Sequence, residues 1–210
     1  MSKIGLLTAL AHDAVSCSVC FDGGSLRRSF VDLPQPRYVG PGYWDSGWKV
    51  AFLMLNPGAG TAEPRNCEWR APLHKFRREE ASLTKVFEVQ RRHMPYWSGG
   101  RLIRFVQAHG LDMDELALVN MAWCATKDNK YPSRMLSTCL ANHTLEWLRV
   151  LAPNTIILSG TATHGFEEDM RRALPWSRVL KAYHYAHRPR DGEKAMSRAE
   201  EIRAILNDEK

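Results

Sequence analysis

An α/β fold, with a parallel sheet covered by helices on both faces, is what this sequence predicts. Two observations carry the prediction: short runs rich in β-forming residues recur four times, and segments of helical periodicity separate them. Strands that alternate with helices pair in parallel through right-handed crossovers.

The first element is a helix over residues 3 to 16, where Ile4, Leu7, Leu10, Ala11 and Val15 fall at helical intervals and lead into Cys17 and Cys20. From there to Trp48 the chain reads as a long surface connection, punctuated by Pro34, Pro36, Pro41 and Gly23, Gly24, Gly40 and Gly42. WKVAFLML, residues 48 to 55, is a buried strand that stops at Asn56-Pro57-Gly58. Further strands are expected at 116 to 122, 154 to 160 and 177 to 184. Helices are expected near 75 to 92, 99 to 109, 133 to 151, 161 to 173 and 193 to 207. No internal repeat or low-complexity segment interrupts the pattern.

A chain of 210 residues, 44% hydrophobic, buries one core, so a single domain spanning 1–210 is expected. The net charge of +6 and isoelectric point near 9.2 favour an anionic partner without naming one. The longest apolar run, Val50 to Leu55, is too short to span a bilayer, and the amino terminus lacks the regions of a secretory signal. A cytoplasmic monomer is therefore expected. Five cysteines in a reducing compartment read as metal ligands or buried thiols rather than disulfides.

Four features fall at strand ends, which a parallel sheet gathers along one edge. LMLNPGAGTAEPRN, residues 53 to 66, combines tight-turning Pro57, Gly58 and Gly60 with polar Asn56, Glu63, Arg65 and Asn66. An ordinary strand-to-helix loop has the same composition. Asn120 closes the strand LALVN, where its carboxamide either pairs with a nucleobase edge or caps the following turn. VLKAYHYAHRPR, residues 179 to 190, sets His184 at a strand end, able to donate to charge that develops in a reaction. His187, Arg188 and Arg190 follow as a basic loop suited to phosphate. The fourth feature is Cys17-x-x-Cys20 with Cys124 and Cys139, a set able to hold zinc or an iron-sulfur cubane. Cys67 stands outside it without a role.

In order and spacing, from about residue 5 to residue 190, these motifs resemble the iron-sulfur uracil-DNA glycosylases. That family carries a CxxC after a first helix, a Gly-x-x-Pro-Gly loop, an Asn-x-x-x-Cys and a fourth cysteine. The corresponding residues are Cys17 with Cys20, Met54 to Gly58, and Asn120 with Cys124 and Cys139. A Leu-Gly strand end and a Tyr-His-Pro-Ser strand end follow in the family; this chain has LSG at 158 to 160 and Tyr183-His184-Tyr185-Ala186.

The resemblance implies a three-layer α/β/α fold around a four-stranded parallel sheet, and a DNA-repair hydrolase that flips uracil or a related damaged base out of DNA. It implies a 4Fe-4S cluster on Cys17, Cys20, Cys124 and Cys139, with zinc as the alternative. Asn120 reads the base, and Trp69, or Phe76 in its place, forms an aromatic wall. Asn56 departs from the acidic residue usual in the iron-sulfur branch but matches the Asn-Pro-Gly of the mismatch-specific branch, whose asparagine positions the attacking water. Arg65, Tyr185, His187, Arg188 and Arg190 are the expected DNA contacts, and Tyr185 with Ala186 replaces the Pro-Ser of the wedge loop. An alternative from another class is a nucleic-acid-binding protein that keeps the fold and a four-cysteine metal site without catalysis.

Overall fold

A computed structural model describes residues 1–22, 24, 26–57, 64–97, 100–185 and 192–207, without the side chains of 64–66 and 192–197. Its strands are Val50–Met54 (β1), Leu116–Asn120 (β2), Thr155–Ser159 (β3) and Arg178–Ala182 (β4). Its helices are Lys3–Val15 (α1), Pro64–Arg77 (α2), Leu83–His93 (α3), Arg101–Ala108 (α4), Ser133–Cys139 (α5), Leu145–Leu151 (α6), Thr161–His164 (α7), Glu167–Ala173 (α8) and Gly192–Asn207 (α9). Tertiary contacts gather these into two compact units. One is Met1–Arg37, Asn56–Gln90 and Asn120–Leu151; the other is Tyr38–Leu55, Arg91–Val119 and Ala152–Lys210.

The second unit carries the sheet, an all-parallel four-stranded array in the order β2-β1-β3-β4, flanked by helices as the sequence predicts for an α/β/α fold. Val50 pairs with Thr155 and Leu53 with Leu158, while Thr155 pairs with Arg178 and Ser159 with Ala182. Every residue of β1, β2 and β3 is buried, which is why these strands read as unbroken apolar runs rather than as alternating ones. The chain leaves β1 toward β2 on one side and returns to β3 on the other, so the direction of winding switches between β1 and β3. Ligands of open parallel sheets collect beyond the carboxyl ends of the strands at such a switch. α7 packs on β3, α8 on β4, and α9 on both β4 and α4.

Residues 33 to 40, expected within a surface connection, are buried instead. Antiparallel pairing at Val39 and a side-chain donor, Gln90 Nε2 to the Pro36 carbonyl at 2.6 Å, give backbone groups of this segment partners, which makes burial possible. Within the sheet unit, Leu118 N–H donates to the Tyr38 carbonyl at 2.8 Å and Gly40 N–H to that of Leu116 at 2.9 Å, so this segment shields the outer edge of β2. Only glycine fits at 40, because a Cβ there would lie 2.2 Å from the Asp114 carbonyl oxygen.

In the first unit, α1 is capped by Ser2, whose Oγ accepts from Gly5 N–H at 3.2 Å, and buries Leu7, Ala11, Ala14 and Val15 against α6 and α2. Trp123 and Trp147 meet edge to face at 5.0 Å, and Phe87 packs on Trp147 in the same way. The helix expected near 75 to 92 is two helices, α2 and α3. α2 opens at Pro64, a position where the missing N–H costs nothing, inside a stretch whose proline and glycine content reads as loop. The predicted 133 to 151 helix is α5 and α6 joined by a π-helical turn, Leu140–Thr144.

Candidate functional site

The four cysteines of the predicted metal site all belong to the first unit and line one cavity, together with Phe21, Pro34, Trp123 and Met135. Local structure explains the convergence. Cys17 and Cys20 follow the end of α1, Cys124 lies just past β2, and Cys139 ends α5 where the π turn begins. Such turns often mark functional positions, because the extra residue re-aims the side chains beside it.

Arg28 braces the arrangement. Its Nη2 donates to the Cys17 carbonyl at 2.9 Å and its Nη1 to the Asp32 carbonyl at 2.8 Å, with Cys124 Sγ 3.8 Å away, while the guanidinium lies 4.3 Å over the Phe21 ring. Trp123 N–H donates to Cys139 Sγ at 3.2 Å. Segment 28–35 is stitched to 123–126 through Ser29 N–H to the Ala125 carbonyl and Gln35 N–H to that of Trp123.

Burial pushes the Cys124 thiol up to about 12 and raises Cys139 also; Cys20 rises through burial and then the neighbouring Cys17. A metal bound by Cys20, Cys124 and Cys139 would therefore have to displace their protons. Among the described residues, no three His, Cys, Asp or Glu side chains close around one point as a single ion requires. The four thiols share a cavity without surrounding one atom.

Asn120, at the carboxyl end of β2, is fully buried, and among the described residues neither its Nδ2 nor its Oδ1 has a hydrogen-bond partner. Its backbone is anchored instead. Thr144 Oγ1–H donates to the Asn120 carbonyl at 2.9 Å, and Trp123 Nε1–H donates to Thr144 Oγ1 at 3.0 Å. The carboxamide is thus held in place without being used.

Asn56 lies just beyond β1. Its Nδ2 donates to Asn129 Oδ1 at 2.8 Å, and it also bonds the hydroxyl of half-buried Tyr131, which accepts from Thr126 N–H at 3.3 Å. Asn129 takes a positive φ of 53°. Sequence reasoning did not single out Asn129 or Tyr131; the only signal was the turn-forming DNKYP at 128 to 132.

The aromatic candidates have structural partners. Phe76 is fully buried and stacked on His12 at 4.1 Å, joining α1 to α2, and Trp69 donates its Nε1–H to Gln35 at 2.8 Å.

His184 belongs to the sheet unit, two residues past β4. Gly160 N–H donates to the Ala182 carbonyl at 2.9 Å, and a Cβ at Gly160, whose φ is +102°, would meet His184 Cβ at 3.1 Å. The His184 and Tyr185 rings lie 4.3 Å apart, and Tyr185 approaches Phe105 at 6.3 Å. His187, Arg188 and Arg190 lie outside the described residues, as do Gly58, Gly60 and Glu63, and Arg65 is placed in α2 by its backbone alone. Comparison of the chain with protein-family models and with curated proteins gave no match. No helix among the described residues is long and apolar enough to cross a membrane.

Proposed function

We propose that the protein is a monofunctional DNA glycosylase of the uracil-DNA glycosylase kind, a cytoplasmic monomer that hydrolyses the N-glycosidic bond of uracil or a related damaged base extruded from DNA. The observation that carries this reading is the buried, partnerless carboxamide of Asn120 at a parallel-strand end. Leaving a buried donor and acceptor unsatisfied costs about 1–3 kcal/mol for each group, a cost offset when a ligand supplies both partners. A uracil edge does so, with a carbonyl to accept from Nδ2 and an N–H to donate to Oδ1.

Asn56, beyond the end of β1, would hold the attacking water. A carboxamide has no useful pKa and cannot act as a strong base, so its contribution is orientation, and Asn129 and Tyr131 fix the orienting group. His184, beyond the end of β4, would donate a hydrogen bond to negative charge on the departing base.

Cys17, Cys20, Cys124 and Cys139 would hold a 4Fe-4S cluster. The fit rests on four thiols sharing an apolar cavity with an N–H donor already at sulfur. Zinc is the alternative on the same four thiols. When bound, the group cross-links segments far apart in sequence.

The test is a panel of single-stranded oligonucleotides, each carrying uracil or one damaged base, scored for alkali-labile abasic sites. Excision of at least one base supports the reading. Tight binding of every oligonucleotide without abasic sites would favour a non-catalytic DNA-binding protein.

A further inference from the structure

A second groove lies away from the cysteine cavity, along one face of α2. It encloses about 390 Å³ and is lined by Phe30, Cys67, Arg70, His74, Lys75 and Arg78, with Ala71 as its small wall residue. Apart from Phe30, intervals of three and four residues put these side chains on one stripe. Among the described residues no carboxylate lines the groove.

Carboxylates nearby hold two of the arginines along one edge. Asp32 takes Arg70 through Nε and Nη2, at 2.9 and 3.1 Å, and meets His74 Nε2 at 3.0 Å. Glu80 takes Arg78 through the same two nitrogens, at 2.6 and 2.8 Å. In both arginines Nη1 has no partner among the described residues, and Lys75 makes no ion pair there. Each guanidinium is therefore fixed along one edge and open along the other. This preorganises it for an anion, because little rotamer freedom remains to be lost on binding.

Arg70 lies in α2 and Arg78 one residue past its end, eight positions on or about 12 Å at the helical rise, with His74 and Lys75 about one turn from each. Arg70, Lys75 and Arg78 in succession suit the repeating phosphates of an extended strand better than one compact anion. Half-buried Phe30, with the Arg70 guanidinium 5.5 Å from its ring, adds an apolar surface on which a base can stack.

We propose that this groove is a secondary site for single-stranded nucleic acid, in which Arg70, Lys75 and Arg78 contact successive phosphates and Phe30 contacts a base. The choice of nucleic acid over another polyanion rests on the glycosylase reading, whereas the groove does not. Cys67 is exposed and lines the groove, so it reports on occupancy.

The experiment follows alkylation of Cys67 by iodoacetamide, read by peptide mass mapping of the full chain, with dodecathymidylate as the probe. The probe contains no uracil, so its outcome is separate from whether the protein excises bases. Saturating probe is expected to slow Cys67 alkylation about tenfold, protection that fades as salt rises. Lys75→Glu with Arg78→Glu should abolish the protection at an unchanged far-ultraviolet circular dichroism spectrum. Should that pair unfold the chain, Lys75→Ala alone should weaken the protection severalfold. An unchanged alkylation rate under saturating probe would overturn the proposal. So would equal protection by inorganic phosphate alone, which would make the groove a site for a free anion.

Discussion

A carboxamide buried without partners lowers the stability of the ligand-free fold, and Asn120 has none among the described residues. Leucine has nearly the same shape and no polar atoms. Asn120→Leu should therefore leave the protein as stable as the parent or more so, by about 1 kcal/mol or a melting-point rise of roughly 2–4 °C, while uracil excision falls at least about a hundredfold. Calorimetry on the same preparation used for the activity assay reads both effects. A large drop in melting temperature would show that the carboxamide serves the fold.

Asp32 offers a different test at the same scale. Burial alone would raise its carboxyl, but hydrogen bonds from Arg70 and His74 outweigh burial and hold it at about 2, below the usual 3.8. A depressed pKa contributes stability above the unfolded value, and that contribution is lost as pH falls toward 2. Asp32→Asn should thus be less stable than the parent above about pH 4, by no more than about 1 kcal/mol because solvent screens the pair, and the gap should close between about pH 4 and 2. Denaturant melts across that range check it. A gap independent of pH would mean that the carboxylate charge contributes nothing.

Among the elements, Gly160 ties β3 to the end of β4. Its φ of +102° strains any side chain, and a Cβ there would press on His184, so Gly160→Ala should cost about 1–3 kcal/mol and displace His184. The expected signature is reduced excision under single-turnover conditions together with a lower melting temperature; a fully active, fully stable variant would contradict the role given to the strand end.

The strands were legible in sequence to within two residues, because burial on both faces leaves continuous apolar runs bounded by Asn, Gly and His. Asn120 and the four cysteines were legible for a related reason: end positions and spacing survive in one dimension. α2 was read in part as loop, since Pro64 and Pro72 mask a helix whose buried side is only Trp69, Leu73 and Phe76 among its described side chains. Phe76 reads as a substitute for Trp69 in the aromatic wall, and nothing in the sequence announces its stacking on His12, sixty-four residues earlier. Asn129 and Tyr131, which hold Asn56, were invisible for the same reason: a hydrogen bond between distant loops has no period.

Across the whole molecule, the cysteine cavity and the strand ends make separable claims. Protein purified without oxygen should be brown and carry iron, Cys124→Ser should lose both, and chelation should lower the melting temperature; a colourless protein holding zinc would replace the cluster but leave the excision chemistry standing. The central claim is tested most directly by single-turnover excision of uracil from single-stranded DNA at saturating enzyme, comparing the parent with His184→Ala. The account predicts a measurable parental rate and a loss of about a hundredfold in the variant with DNA affinity little changed, since the hydrogen bond strengthens only as the bond breaks. No abasic product from the parent, or equal rates for the two proteins once binding is saturated, would contradict it.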